Sequence, residues 1–196
     1  MSSIALFHSV LGVRPGVHAA ADLLRSHGHM VRVVDQYEGR VFDSYDEASA
    51  FANDIGYPAL MTSAARAVED MPTAGFVCAG FSNGGGMSQH IAGMNSSVRG
   101  VLLLSGVFDP SMMGLTEWPA TVAVQIHYSA DDQFRNQGWI DSFDVLVRNA
   151  GAAVESFDYP GTGHLFSDQS LAGEYDPVSA ELLWRRALVF LDRIDH

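Results

Sequence analysis

Residues 80–84 read Gly-Phe-Ser-Asn-Gly, between the apolar run 74–79 (AGFVCA) and a proline-free stretch of small residues, 84–94. This pattern restricts the fold more than any other in the chain. A strand that turns directly into a helix at a serine holds that serine in a strained backbone conformation, and the residues two places to either side collide. Glycine at 80 and 84 removes the Cβ atoms that would clash. The Ser82 hydroxyl is lifted clear of the strand end, and the first amides of the following helix point into the same space.

The pentapeptide alone is weak. With 19 glycines and 19 serines, a chance match is expected in roughly a fifth of such chains, so the alternative is an ordinary glycine-rich turn and the context must decide. The context agrees on both sides. Met71-Pro72 leads into a short apolar run that reads as a buried strand, and nothing after Gly84 breaks a helix packed close to a sheet.

The rest of the chain repeats that alternation. Strands are expected over 4–8, 30–35, 75–79, 100–105, 121–128 and 153–158, mostly as continuous apolar runs, which suits strands covered on both faces. Between them lie helical patterns with their own punctuation. One spans 15–27 and stops at Gly28. A capping box, Ser44-Tyr-Asp-Glu47, opens a short helix that stops near Gly56. Further helices cover 58–70 and 137–150, and Asp176-Pro177 opens the last, running to about Ile194. Alternating βαβ units predict an α/β fold: a single, mostly parallel sheet of about six strands with helices on both faces. No repeat or linker divides residues 1–196, so one domain is expected. The polar segment 36–43 is expected to be the most mobile.

Composition excludes several classes of partner. A net charge of −12 and a pI near 4.8 repel nucleic acid and anionic membrane surfaces. No run approaches the roughly 18 apolar residues of a membrane span. The N-terminus lacks the basic start of a signal peptide, and the single cysteine rules out an internal disulfide. A cytoplasmic location is expected. No Cys/His spacing suggests zinc, and no metal or organic cofactor is expected.

A serine hydroxyl needs a base and a group to orient that base. After the strand 121–128 comes Ser129-Ala-Asp-Asp132, and after 153–158 comes Tyr159-Pro-Gly-Thr-Gly-His164. Both loops follow strand carboxyl ends, where open α/β sheets place their sites. Of eight histidines, His164 sits in a glycine-freed turn and is the candidate base. His127 lies inside a strand and reads as a core residue. His8 ends the first strand and is a candidate pocket residue. His18, His27, His29, His90 and His196 read as solvated. For the acid, spacing leaves Asp131 and Asp132 open, with Asp109 a weaker third.

The elbow Gly-Phe-Ser-Asn-Gly-Gly and the two loops Tyr-Ser-Ala-Asp-Asp-Gln-Phe and Tyr-Pro-Gly-Thr-Gly-His-Leu-Phe together resemble the dienelactone hydrolase family of α/β-hydrolases. The resemblance spans nearly the whole chain. It implies a minimal α/β-hydrolase and a Ser82–His164–Asp132 triad, the family's acid being the last aspartate of the turn that lands on Asp132. It also implies an oxyanion hole of two backbone amides, Asn83 and Val10. Four departures are visible. The family's named enzymes carry cysteine at the elbow, whereas the only cysteine here, Cys78, lies in the preceding strand. Their glutamate after the first strand is replaced by Ser9. The arginine that holds a substrate carboxylate is replaced by Asp168, with Arg14 or Arg135 as substitute cations. Matched to the family, the sequence starts at the third strand, so the usual first two strands are expected to be missing. Ser9 and Asp168 join His8 as candidate pocket residues, and Asp168 is expected to repel anionic substrates. The expected activity is a carboxylesterase on a small neutral ester. The alternatives are a thioesterase or lactonase on the same triad, and a non-catalytic binding module.

Overall fold

The computed structural model describes residues 1–195; His196 lies outside the described residues. Six strands form one sheet: β1 (Ser3–Phe7), β2 (Met30–Val34), β3 (Phe76–Phe81), β4 (Val98–Leu104), β5 (Ala123–Ser129) and β6 (Val154–Tyr159), in the order β2-β1-β3-β4-β5-β6. All six expected strands form. Every pairing is parallel, so the sheet expected to be mostly parallel is wholly so. The interior strands β1 and β3 are buried at every position, as strands covered on both faces must be. The edge strands β2 and β6 are only partly buried, and Arg32 on β2 gives one edge a charge that discourages further pairing.

Five helices lie between the strands, α1 (Pro15–Ser26), α2 (Tyr45–Ile55), α3 (Tyr57–Ala67), α4 (Asn83–Met94) and α5 (Gln137–Asn149), and α6 (Pro177–Ile194) follows β6. Right-handed crossovers put α1 on one face and the α3–α5 series on the other. α4 lies across β1, β3 and β4, and α6 across β4 and β5. The expected start signals operate. The Asp176 carboxylate accepts from the Val178 amide at 3.1 Å and the Ser179 hydroxyl at 2.6 Å. Ser44 accepts from the Glu47 amide at 3.4 Å, one half of the predicted box. α3 stops at Ala67, three residues before the expected end at residue 70. There Arg32 donates to the Ala67 carbonyl at 2.9 Å and to Asp70 Oδ2 at 3.0 Å, tying the turn to the sheet edge.

Segment 36–43 carries more ties than its composition suggests. The Asp35 carboxylate accepts from the Tyr37 and Gly39 amides at 2.9 and 2.6 Å, the Tyr37 ring is buried, and Arg14 donates to the Phe42 carbonyl at 2.7 Å. No helix among the described residues is long and apolar enough to cross a membrane.

From β1 the chain builds outward in both directions, to β2 on one side and to β3 on the other. In an open parallel sheet a crevice forms at the carboxyl ends beside such a switch point. The loops after β1, β3, β4, β5 and β6 meet there.

Candidate active site

β3 continues to Phe81, two residues past its expected end at Ala79, because the Phe81–Leu104 register with β4 is kept. Ser82 then turns the chain with φ 48° and ψ −112°. Such a backbone costs a non-glycine residue about 1–3 kcal/mol and persists only where its surroundings enforce it. Here the Ser82 amide donates to the Leu104 carbonyl at 2.8 Å, and the Ser82 carbonyl accepts from the Gly85 amide at 2.8 Å. Both flanking glycines are required. A Cβ on Gly80 would fall 2.0 Å from the Gly84 carbonyl oxygen, and one on Gly84 would fall 2.5 Å from the Phe7 carbonyl oxygen.

The loop after β6 brings His164 Nε2 to 2.8 Å from Ser82 Oγ, and the loop after β5 brings Asp132 Oδ2 to 2.7 Å from His164 Nδ1. The network assigns the tautomer: Nδ1–H donates to the carboxylate, which leaves Nε2 to accept from the serine. The second oxygen of Asp132 accepts from the Phe134 amide at 2.8 Å. His164 and Asp132 are both buried. Asp131 is exposed, and its amide donates to the Gly161 carbonyl at 3.1 Å. Asp109 caps a 3-10 turn at Pro110–Met113 through the Ser111 amide. Of the three aspartates open by spacing, only Asp132 meets the imidazole.

The other described histidines sort by burial. His127 is fully enclosed between Tyr159 Oη, at 2.7 Å, and Gln125 Oε1, at 2.9 Å. Burial, with a smaller push from the Arg186 charge, takes its pKa down to about 3. His29, expected to be solvated, is buried, because it closes the lower edge of the sheet where the Ser2 amide donates to its Nδ1 at 3.3 Å. His18 and His27 are exposed, and His90 is half-buried. Cys78 is a free thiol within β3, and burial pushes its pKa well up, so it is not a reactive thiolate.

A cavity of about 240 Å³ opens beside Ser82 and His164. Val10 and Asn83, the expected amide donors, both line it. Asn83 is the first residue of α4, where helix amides have no intrahelical acceptor.

The three candidate pocket residues are not among those lining this cavity. His8 is buried behind the loop after β1. Its Nδ1 donates to the Ser9 carbonyl at 2.6 Å and its Nε2 accepts from the Gln36 amide at 3.0 Å, which ties the ends of β1 and β2 together. Ser9 turns inward, its hydroxyl accepting from the Leu11 amide at 3.2 Å. Asp168 is buried against the first turn of α1, where a Cβ on Gly16 would fall 1.8 Å from its Oδ1. That oxygen also accepts from the Ser170 amide and hydroxyl at 2.8 and 2.6 Å. A carboxylate at a helix N-terminus is favourably placed, so Asp168 serves the fold rather than the cavity. The substitute cations are engaged elsewhere. Arg14 pairs with Asp43 at 2.8 Å and Arg135 with Asp158 at 2.8 Å.

Sequence reasoning missed the rings that form the cavity walls: Tyr45, Tyr57, Phe108, Tyr128, Phe134 and Trp139. Tyr128 and Phe134 bracket the aspartate loop and carried a usable signal, since residues at strand carboxyl ends face the crevice. The other four come from separate helices and loops with no shared local pattern. Ser105 also lines the cavity, with φ 55° at the end of β4.

A family model described as the dienelactone hydrolase family matches residues 1–194. No curated protein matches the chain. Among solved structures, it is similar to a dienelactone hydrolase-like promiscuous phosphotriesterase, P91, from metagenomic libraries. That match has 16% identity and a TM-score of 0.83, and covers 99% of this chain and 87% of the other. A putative dienelactone hydrolase from Klebsiella pneumoniae subsp. pneumoniae MGH 78578 matches at 18% identity with a TM-score of 0.75, covering 96% of this chain and 85% of that one. Esterase 2 of Thermogutta terrifontis, solved phosphorylated by paraoxon, matches at 17% identity with a TM-score of 0.69, covering 98% and 82%. At these identities the likeness establishes the α/β-hydrolase fold.

Proposed function

The chain belongs to the dienelactone hydrolase family, and from that premise we propose that it is a serine ester hydrolase working through an acyl-enzyme on Ser82. The Ser82 oxygen attacks the ester carbonyl carbon as its proton passes to His164 Nε2. The amides of Asn83 and Val10 hold the developing oxyanion. As the tetrahedral intermediate collapses, the alcohol departs with the proton from the imidazolium. Water then attacks the acyl-enzyme, His164 takes its proton, and the same collapse releases the carboxylic acid and returns the proton to Ser82. Asp132 holds the productive tautomer and stabilises the imidazolium while it exists.

One observation carries this reading: His164 bridges Ser82 Oγ at 2.8 Å and Asp132 Oδ2 at 2.7 Å, beside a cavity that Ser82 and His164 both line. The substrate is read as small and uncharged, since no arginine lines the cavity and no lysine occurs in the chain. Burying an unpaired carboxylate there would be costly. A cytoplasmic setting is proposed from the one free, buried cysteine.

The test is steady-state hydrolysis of short neutral esters by the purified chain, alongside matched thioesters and lactones. Ser82→Ala should abolish turnover of every substrate that the native protein accepts. Paraoxon, which phosphorylates the Thermogutta esterase, should inactivate this protein with one equivalent bound. Hydrolysis that survives in Ser82→Ala contradicts the proposal.

A further inference from the structure

The cavity walls specify more than a neutral ester. Six rings face a space of about 240 Å³, and His164 is the only ionisable base among the lining side chains. Phe108 and Trp139 form one wall as a stacked pair, with centroids 5.7 Å apart and planes inclined by 21°. They arrive from different elements, Phe108 from the loop after β4 and Trp139 from the first turn of α5.

Each is anchored from behind. The Phe108 amide donates to Gln89 Oε1 at 2.9 Å, and Gln89 Nε2 donates back to the Phe108 carbonyl at 3.1 Å. Gln89 is fully buried on α4, the helix that begins beside Ser82. The neighbouring Val107 amide donates to the Tyr128 hydroxyl at 2.7 Å. The Trp139 amide donates to the Asn136 side chain that caps α5, at 3.2 Å. The Phe108 backbone is therefore fixed to the helix that begins beside Ser82, and the Trp139 backbone to the capped start of α5, so both rings stand on ordered supports before a ligand arrives. Prepaid ordering of this kind raises affinity. Aromatic faces also reward another ring, because offset-stacked and edge-on pairs gain attraction beyond the area they bury.

Resting on the serine reading, we infer that the ester bound here carries an aromatic ring, which packs against the Phe108–Trp139 wall while its carbonyl reaches Ser82. The preference is for ring over saturated ring of similar size, and the wall, rather than a charge, sets specificity.

Two matched pairs test this with the full chain: benzyl acetate against cyclohexylmethyl acetate, and methyl phenylacetate against methyl cyclohexylacetate. Leaving groups are similar within each pair, and the two arms tell an alcohol-side ring from an acyl-side ring. The native protein should favour the aromatic member in at least one arm by roughly threefold to tenfold in kcat/KM. Trp139→Phe should keep most of that ratio, and Trp139→Leu should bring it close to one. A native ratio near one in both arms overturns the inference, as does a ratio that Trp139→Leu leaves unchanged. Ser82→Ala serves as the blank in each arm. Turnover surviving there overturns the serine reading and this inference together, whereas an inert blank with no ring preference overturns this inference alone.

Discussion

The Tyr45 hydroxyl donates into the Glu174 carboxylate, 2.8 Å from Oε1 and 3.1 Å from Oε2, and the same carboxylate accepts from the Leu165 amide at 2.7 Å. Leu165 directly follows His164, so this carboxylate grips the backbone that carries the candidate base. Tyr45 also packs against the His164 ring, with centroids 5.9 Å apart. Burial, and the hydrogen bond to Glu174, push the Tyr45 phenol well above its ordinary range, so it remains a neutral donor under assay conditions.

Glu174 is therefore a positioning residue. Glu174→Ala should lower kcat about tenfold to a hundredfold, the scale expected when a catalytic group shifts by an ångström or less, with KM changed far less. Glu174→Gln keeps an acceptor for both donors and should restore most of kcat. Steady-state kinetics on one neutral ester checks both. Equal losses in the alanine and glutamine variants would contradict the assignment.

The two adjacent aspartates should separate sharply. Asp132→Asn should cost about 10⁴-fold in kcat, because the amide favours the wrong imidazole tautomer. Asp131→Asn, on an exposed side chain outside the network, should change kcat by less than about twofold. Kinetics on both variants with the same ester gives the comparison.

Much of this arrangement is legible in the sequence. The strands and most helix ends followed local signals: prolines in first turns, Ser44 and Asp176 as caps, glycines at the elbow. Strain at Ser82 followed from Gly80 and Gly84 together with the apolar run before them and the helical stretch after. The choice between Asp131 and Asp132 did not, since two adjacent residues of one type carry no local distinction; the family resemblance made it, and the hydrogen bond to His164 agrees with it. His8, Ser9 and Asp168 are not among the residues lining the cavity, because neither a strand end nor a position matched to the family says which way a side chain turns. Tyr45 and Glu174 are 129 residues apart, and neither lies in a pattern that points to the other. Contacts of that kind depend on how loops close over the sheet.

Asp168 should matter for stability rather than substrate charge. Asp168→Ala removes the acceptor for Ser170 and empties a buried place against α1, at a cost of about 1–3 kcal/mol. Asp168→Arg should be worse, since the first turn of α1 already touches the shorter side chain. Thermal unfolding of both variants checks this. The kcat/KM ratio of a neutral ester to its carboxylate analogue should stay unchanged in Asp168→Ala; a clear change would return the residue to the pocket.

Acid should destabilise the fold through its buried histidines. His127 has its pKa lowered to about 3 in the folded chain, against about 6.5 when unfolded. Between those values the unfolded chain binds a proton that the folded chain does not, so stability rises with pH and is lost as pH falls below about 6.5. One such proton contributes a slope of about 1.4 kcal/mol per pH unit. His8 acts in the same direction, also through burial. Carboxylates with lowered pKa, such as Glu155 and Asp176, lose their contribution only at lower pH. Urea unfolding at pH 6 and pH 5 should show this slope in the native protein and a flatter one in His127→Gln. An unaltered slope in that variant would rule out His127 as the source.

The central claim is that Ser82 is the group that becomes acylated, and a fluorophosphonate probe with peptide mapping by mass spectrometry tests it most directly. The probe should add once, on the peptide containing Ser82, with loss of ester hydrolysis in step with labelling. Ser82→Ala should take up no label, and a thiol reagent should leave activity intact because Cys78 is buried within β3. Label found on another residue, or a fully active protein that the probe does not label, would contradict the account.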